Sequence, residues 1–91
     1  MKILQSNTFK KAVKKFHRNQ IPELKKAIEN ITNNPILGDL KRGDLVGVRV
    51  YKFHIHHQLV LLAYLYEEKD SLLNLVDISS HENFYKGLKK K

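Results

Sequence analysis

Residues Val46 to Tyr66 read VGVRVYKFHIHHQLVLLAYLY, and the contrast between the two halves of this stretch decides the fold. In Tyr51-Lys52-Phe53-His54-Ile55-His56, aromatic or aliphatic residues alternate with basic ones. A strand turns successive side chains to opposite faces, so Lys52, His54 and His56 share one face while Tyr51, Phe53 and Ile55 face a core. The second half, Leu59 to Tyr66, is apolar at nearly every position. Such a run is expected of a central strand covered on both faces. Only His57 and Gln58 separate the two strands, a hairpin length that makes the pair antiparallel. Val46, Val48 and Val50 share parity with Lys52, His54 and His56. The first strand therefore needs either a bulge near Val50 or a cover over only one end of that face.

Working outward, Leu72 to Ile78 forms a third strand after the polar link Glu68-Lys69-Asp70-Ser71. At the other end, Lys2-Ile3-Leu4 is a candidate edge strand, and Ser6, Asn7 or Thr8 can cap a helix running from about Thr8 to His17. Phe9, Val13 and Phe16 give that helix one apolar face, and Lys10, Lys11, Lys14, Lys15 and Arg18 occupy the rest. These cations are either a solvated face or a nucleic-acid contact surface. Pro22 suits the first turn of a second helix, in which Ile21, Leu24, Ile28 and Ile31 trace a stripe until Asn33-Asn34-Pro35 ends it. Pro35 to Leu45, with Gly38 and Gly43, has loop chemistry. Ser79 with Glu82 offers a capping box for a last short helix through Tyr85 and Leu88. The predicted architecture is α+β: an N-terminal helical hairpin packed on a small, mainly antiparallel twisted sheet, with a short C-terminal helix. Residues 1–91 make one domain.

Seventeen lysines and arginines against nine acids leave a formal charge of +8. Such a field attracts polyanions, which points to RNA, DNA or an acidic protein partner. Without cysteine, a thiolate zinc site, a disulfide and a cysteine nucleophile are excluded. No stretch approaches the ~20 apolar residues of a membrane span, and the opening MKILQSNTFKK breaks into polarity too early for a secretory signal. A cytoplasmic protein with no membrane partner is expected.

Three of the five histidines, His54, His56 and His57, fall at one strand end. A metal would need a third ligand from Asp77 or His81, and the helix spacings typical of metal-binding histidines are missing, so neither metal nor other cofactor is expected. Cleavage of RNA through its 2'-hydroxyl needs a base, an acid and positive charge around the phosphate, all of which histidine, lysine, arginine and tyrosine supply. Arg49, Lys52, His54 and His56 on the sheet form such a set if His81 and Tyr85, four apart on a helix, pack at the same end. The Ser-His-Asp, phosphate-loop and dinucleotide fingerprints are not present.

Over nearly its whole length the chain resembles the RelE/ParE toxin superfamily of bacterial toxin–antitoxin systems. The resemblance rests on the order of elements, on Gly47-Val48-Arg49, on the Tyr51 to His56 run and on His81-Glu82-Asn83-Phe84-Tyr85. It implies that Lys52 and His54 stand at catalytic positions, and that His81 and Tyr85 match the terminal histidine and aromatic residue of YafQ-like toxins. The implied activity is metal-independent cleavage of messenger RNA on the ribosome. Lys52, His54 and His81 would move protons or stabilise charge, with Arg49 on phosphate and Tyr85 orienting a base. Lys10, Lys11, Lys14, Lys15, Arg18 and His56 would contact RNA. The implied partners are a cognate antitoxin and the ribosome with its messenger, with DNA reached only through a toxin–antitoxin complex. ParE-type members share the fold but inhibit DNA gyrase. One departure is plain: Leu61 stands where RelE-type enzymes often carry a phosphate-holding arginine.

Overall fold

The computed structural model describes residues 1–41 and 47–81. Among the described residues eight elements follow one another: β1 (Lys2–Gln5), α1 (Asn7–Val13), a short 3-10 turn (Arg18–Gln20), α2 (Ile21–Asn33), β2 (Asp39–Leu40), β3 (Arg49–Ile55), β4 (Gln58–Glu67) and β5 (Leu72–Ser80). The strands form one five-stranded sheet in the order β1-β5-β4-β3-β2. It is mixed: β1 runs parallel to β5, and every other pairing is antiparallel.

The expected N-terminal helical hairpin is corrected by this arrangement. A strand comes first and is built into the sheet edge, with Lys2 across from Leu72 and Gln5 across from Leu75. The helices follow it, and each buries its stripe on the sheet, α1 against β5 and α2 against β3. The physical reason lies in what each stripe can cover. Phe9 is 1% exposed, and Leu24, Ala27 and Ile31 are equally hidden, all by strand side chains of the main core except Ala27, which is not among its members. A sheet face offers more apolar area than another short helix, so burial favours the sheet.

Local chemistry sets the helix ends. The Ser6 side chain accepts from the Phe9 N–H at 3.0 Å and donates to the Val76 carbonyl at 2.6 Å, so one hydroxyl caps α1 and ties it to β5. This helix ends at Val13, four residues short of the predicted His17, and the chain then tightens through bonds from Lys15 N–H to Ala12 and from Phe16 N–H to Val13. The predicted start of α2 is closely matched, with Pro22 in its first turn and Glu23 at the positive end of its dipole. Within Pro35 to Leu45, expected to be loop throughout, Asp39 and Leu40 pair with Val50 and Arg49. The predicted C-terminal helix lies outside the described residues, apart from His81, whose backbone is helical.

The parity conflict in β3 is resolved without a bulge in that strand. Its register with β4 is unbroken from Arg49–Tyr64 to Ile55–Gln58. Instead, Val50 forms a second small core with Leu61 and Ala63, against which Val48 and Val76 pack. Cover over one end of the face thus buries Val50, while Lys52 and His54, farther along, stay exposed. The irregularity falls in β5, where the register with β4 shifts between the Ala63 and Tyr64 pairs. On the helix-covered face lie Tyr51, Phe53 and Ile55, together with Val60, Leu62 and Tyr64. Val60 to Tyr64 is therefore buried on both faces, while Leu59, Leu65 and Tyr66 at the ends of the apolar run are half-buried.

Candidate functional site

Register places the predicted site residues relative to one another. Lys52 pairs with Leu61, and Leu61 pairs with Ser79, so these three form a row across β3, β4 and β5 on the face away from the helices. His54 pairs with Leu59, and Ser80 pairs with the next residue, Val60. His81, directly after Ser80, therefore follows at the level of Leu59, two strands from His54. Two strand spacings set a backbone separation of about 10 Å. Lys52 and His54 are exposed side by side on alternate residues of β3, and His81 is exposed at the same end of the sheet.

The other predicted members separate from this group. Arg49 has the parity of Tyr51, so it leaves β3 on the opposite face from Lys52. Its guanidinium donates to the Gly38 carbonyl at 3.0 Å and reaches that of Ile36 at 3.5 Å. His56 is in the turn rather than the strand, with φ of 52°, a left-handed conformation that few non-glycine residues adopt. It is exposed beyond the strand face that holds Lys52 and His54. Tyr85 lies outside the described residues. Of the cations on and after α1, Lys11 and Lys15 line a groove between α1 and the ends of β4 and β5, whereas Lys10, Lys14 and Arg18 are exposed elsewhere.

That groove encloses about 660 Å³. Its remaining walls include Phe16, His17, Val60, Asp77 and Ser79. A smaller hollow of about 180 Å³ lies between α2 and β3, lined by Lys26, Asn30, Tyr51, Phe53 and His54 among others. Beside it, Tyr51 and Phe53 stack with ring centroids 5.7 Å apart, and Asn30 donates to the Tyr51 hydroxyl at 3.3 Å. Among the described residues no three His, Asp or Glu side chains come together to hold a metal ion.

Sequence reasoning missed a clamp at the other end of β3 and β4, on the helix-covered face. The Tyr64 hydroxyl donates to the Pro35 carbonyl at 2.7 Å and accepts from the Gly38 N–H at 2.8 Å. Burial raises the Tyr64 phenol above its usual 10.0, and the bond from Gly38 and the nearby Arg49 charge offset part of that rise. Tyr64 and Arg49 face each other across β4 and β3, so together they fix the segment entering β2. The only sequence signal was a tyrosine inside an apolar run, whose hydroxyl needs a partner when buried. Ser79 was likewise invisible as a neighbour of Lys52, because its place in that row depends on cross-strand register.

Residues 3–89 match the family model for the ParE-like toxin of type II bacterial toxin–antitoxin systems. The chain belongs to this toxin family. Solved structures show the same fold for this ParE-like toxin. The toxin–antitoxin complex RelBE2 from Mycobacterium tuberculosis aligns with a TM-score of 0.76 at 12% identity, covering 88% of this chain and 96% of that one. The intact Escherichia coli RelBE toxin–antitoxin complex aligns at 0.69 and 13% identity, covering 86% and 93%. A conserved hypothetical protein of Helicobacter pylori is 26% identical, with a TM-score of 0.56 and coverage of 92% and 98%. No curated protein matches the sequence. Among the described residues of the ParE-like toxin, no helix is long and apolar enough to cross a membrane.

Proposed function

We propose that this toxin is a cytoplasmic, metal-independent endoribonuclease that cuts messenger RNA on the ribosome. The observation that carries the reading is the row geometry: Lys52 and His54 exposed on one face of β3, with His81 at the same end of the sheet. In that arrangement one imidazole takes the 2'-hydroxyl proton while the ammonium of Lys52 offsets charge gathering on the phosphate. The second imidazole returns a proton to the leaving 5'-oxygen. Tyr85 is assigned to base orientation on the strength of the family resemblance. Arg49, bonded to Gly38, is better suited to supporting the fold than to holding phosphate. A cognate antitoxin is the expected protein partner, since the toxins of the RelBE2 and RelBE structures are held in toxin–antitoxin complexes. We take residues 1–91 as a single toxin domain.

The second reading is a gyrase inhibitor without nuclease activity. It is favoured by Leu61, which is fully buried where nucleases of the superfamily often present an arginine. Mapping messenger 5' ends after expression in cells separates the two. Cuts in phase with codons, lost in His81→Ala and Lys52→Ala variants that remain folded, support the nuclease. Intact messenger with induction of the DNA-damage response supports gyrase as the target.

A further inference from the structure

Among the described residues β2 is the last strand of the sheet, beyond β3, and its two residues, Asp39 and Leu40, are both exposed. Such an edge is a template for a further strand. Asp39 pairs with Val50 and Leu40 with Arg49, and the Lys41 N–H donates to the Val48 carbonyl at 2.9 Å. In an antiparallel ladder the backbone groups of successive residues point to alternate sides. Asp39 and Lys41 therefore bond toward β3, and the N–H and C=O of Leu40 point to the outer edge.

Side chains divide by the same alternation. Leu40 shares the helix-side face with Arg49 and is 57% exposed. Ile36, 63% exposed, adds a second apolar side chain near the same guanidinium, which reaches its carbonyl at 3.5 Å. Asp39 and Lys41 stand on the opposite face, with Val50.

This edge is complementary to itself. With a second copy laid antiparallel so that Leu40 faces Leu40, the two residues exchange both N–H···O bonds and their side chains meet. Asp39 of each copy then stands across from Lys41 of the other, with Cβ atoms about 4.5–5.5 Å apart. Along one strand the same two residues are separated by about 7 Å, so the closer match is the one between copies. No other edge offers it. Strand β1 carries Lys2 and no acid. The part of β3 beyond its pairing with β2 presents Lys52 and His54, where a second copy would set cation against cation.

We propose that β2 is a homodimer edge, at which two copies pair β2 with β2 about a two-fold axis through the Leu40 pair and join their sheets into one. The axis is perpendicular to the sheet. The helices of both copies therefore lie on one side, and Lys52 and His54 of both copies lie on the other. This assembly does not depend on whether the toxin cuts RNA.

Sedimentation equilibrium of the full-length protein, from about 10 µM to about 1 mM, is the test, because so small a patch makes a weak interface. A monomer–dimer equilibrium is expected. Asp39→Lys sets lysine against Lys41 on both sides of the axis, and Lys41→Asp sets acid against acid. Each is expected to weaken the dimer roughly tenfold or more, with two cross-strand charge pairs reversed. The double exchange (D39K, K41D) restores opposite charges and is expected to restore the dimer, which damage to the fold would not do. Hydrogen exchange at the Leu40 amide gives a second readout, with protection rising in step with the dimer fraction. A chain still monomeric at about 1 mM, a dimer indifferent to Asp39→Lys, or a double variant no tighter than the single ones would each overturn the proposal. So would a Leu40 amide protected in the monomer, since another segment of the same chain would then cover the edge.

Discussion

Lys52 and Leu61 face each other across β3 and β4, yet Lys52 is exposed and Leu61 is 0% exposed, packed with Val50 and Ala63. The second core ends at this pair, and the basic surface begins on the same row. Introducing the arginine that the superfamily often carries, Leu61→Arg, would place a charge among apolar neighbours. The expected cost is several kcal/mol, comparable to the whole stability of a small domain. Thermal melting should show an unfolded or strongly destabilised protein. Leu61→Met, which conserves volume, should cost less than about 1.5 kcal/mol. A folded Leu61→Arg variant melting near the wild type would mean that this face is open.

Arg49 and Lys52 lie three residues apart in sequence but on opposite faces, so their removal should read out differently. Arg49→Ala deletes the guanidinium bond to Gly38 at 3.0 Å. Because Arg49 is half-exposed, we expect a loss of about 1 kcal/mol, or ~4–8 °C in melting temperature. Lys52→Ala should leave the melt unchanged and lower RNA cleavage by about 10²–10³-fold, the size expected for one lost charge-stabilising donor. Denaturation curves and cleavage assays on both variants check the contrast.

The Tyr64 clamp predicts a cost for a change of one atom. Tyr64→Phe leaves the Gly38 N–H and Pro35 carbonyl without their shared partner, at about 1–3 kcal/mol. Gly38→Ala attacks the same contact from the other side. An added Cβ would stand 2.8 Å from the Tyr64 hydroxyl and 3.1 Å from the Val50 backbone carbon, so we expect a loss of about 1–3 kcal/mol from overpacking. Chemical denaturation measures both. A Tyr64→Phe variant as stable as the wild type would show that water replaces the clamp at no cost.

Alkaline titration tests the same residue through its proton. The unfolded phenol ionises near 10.0, and the folded one ionises at higher pH because burial disfavours the phenolate. Between these two values the unfolded chain has released a proton that the folded chain retains. Stability from Tyr64 is therefore complete below pH 10.0 and is lost as pH rises above it. Phenolate absorbance should show a late-titrating tyrosine that disappears in Tyr64→Phe, and the alkaline fall in melting temperature should be shallower in that variant.

Short-range pattern alone determined which residues of β3 are paired with a core, why β4 is covered on both sides, and where α2 starts and stops. Periods of two and 3.6 residues are local properties of a backbone, so Tyr51, Phe53 and Ile55, or Leu24 and Ile31, could be assigned from the sequence. The same local reading put Lys52 and His54 on one strand face, as their register with β4 and their exposure have it. Tertiary structure decided what depends on partners far along the chain. The parallel seat of β1 beside β5 put a strand at the N-terminus and the two helices after it, where an N-terminal helical hairpin packed on the sheet was expected. Residue Arg49 went to a backbone carbonyl on the helix side, and His56 went into a turn, because strand parity and strand end are set by pairing with β4. The α1 groove, lined by Lys11 and Ile78 among others, exists only because residues 67 positions apart are brought together. Loop closure over such distances is driven by total burial, and no local pattern encodes it.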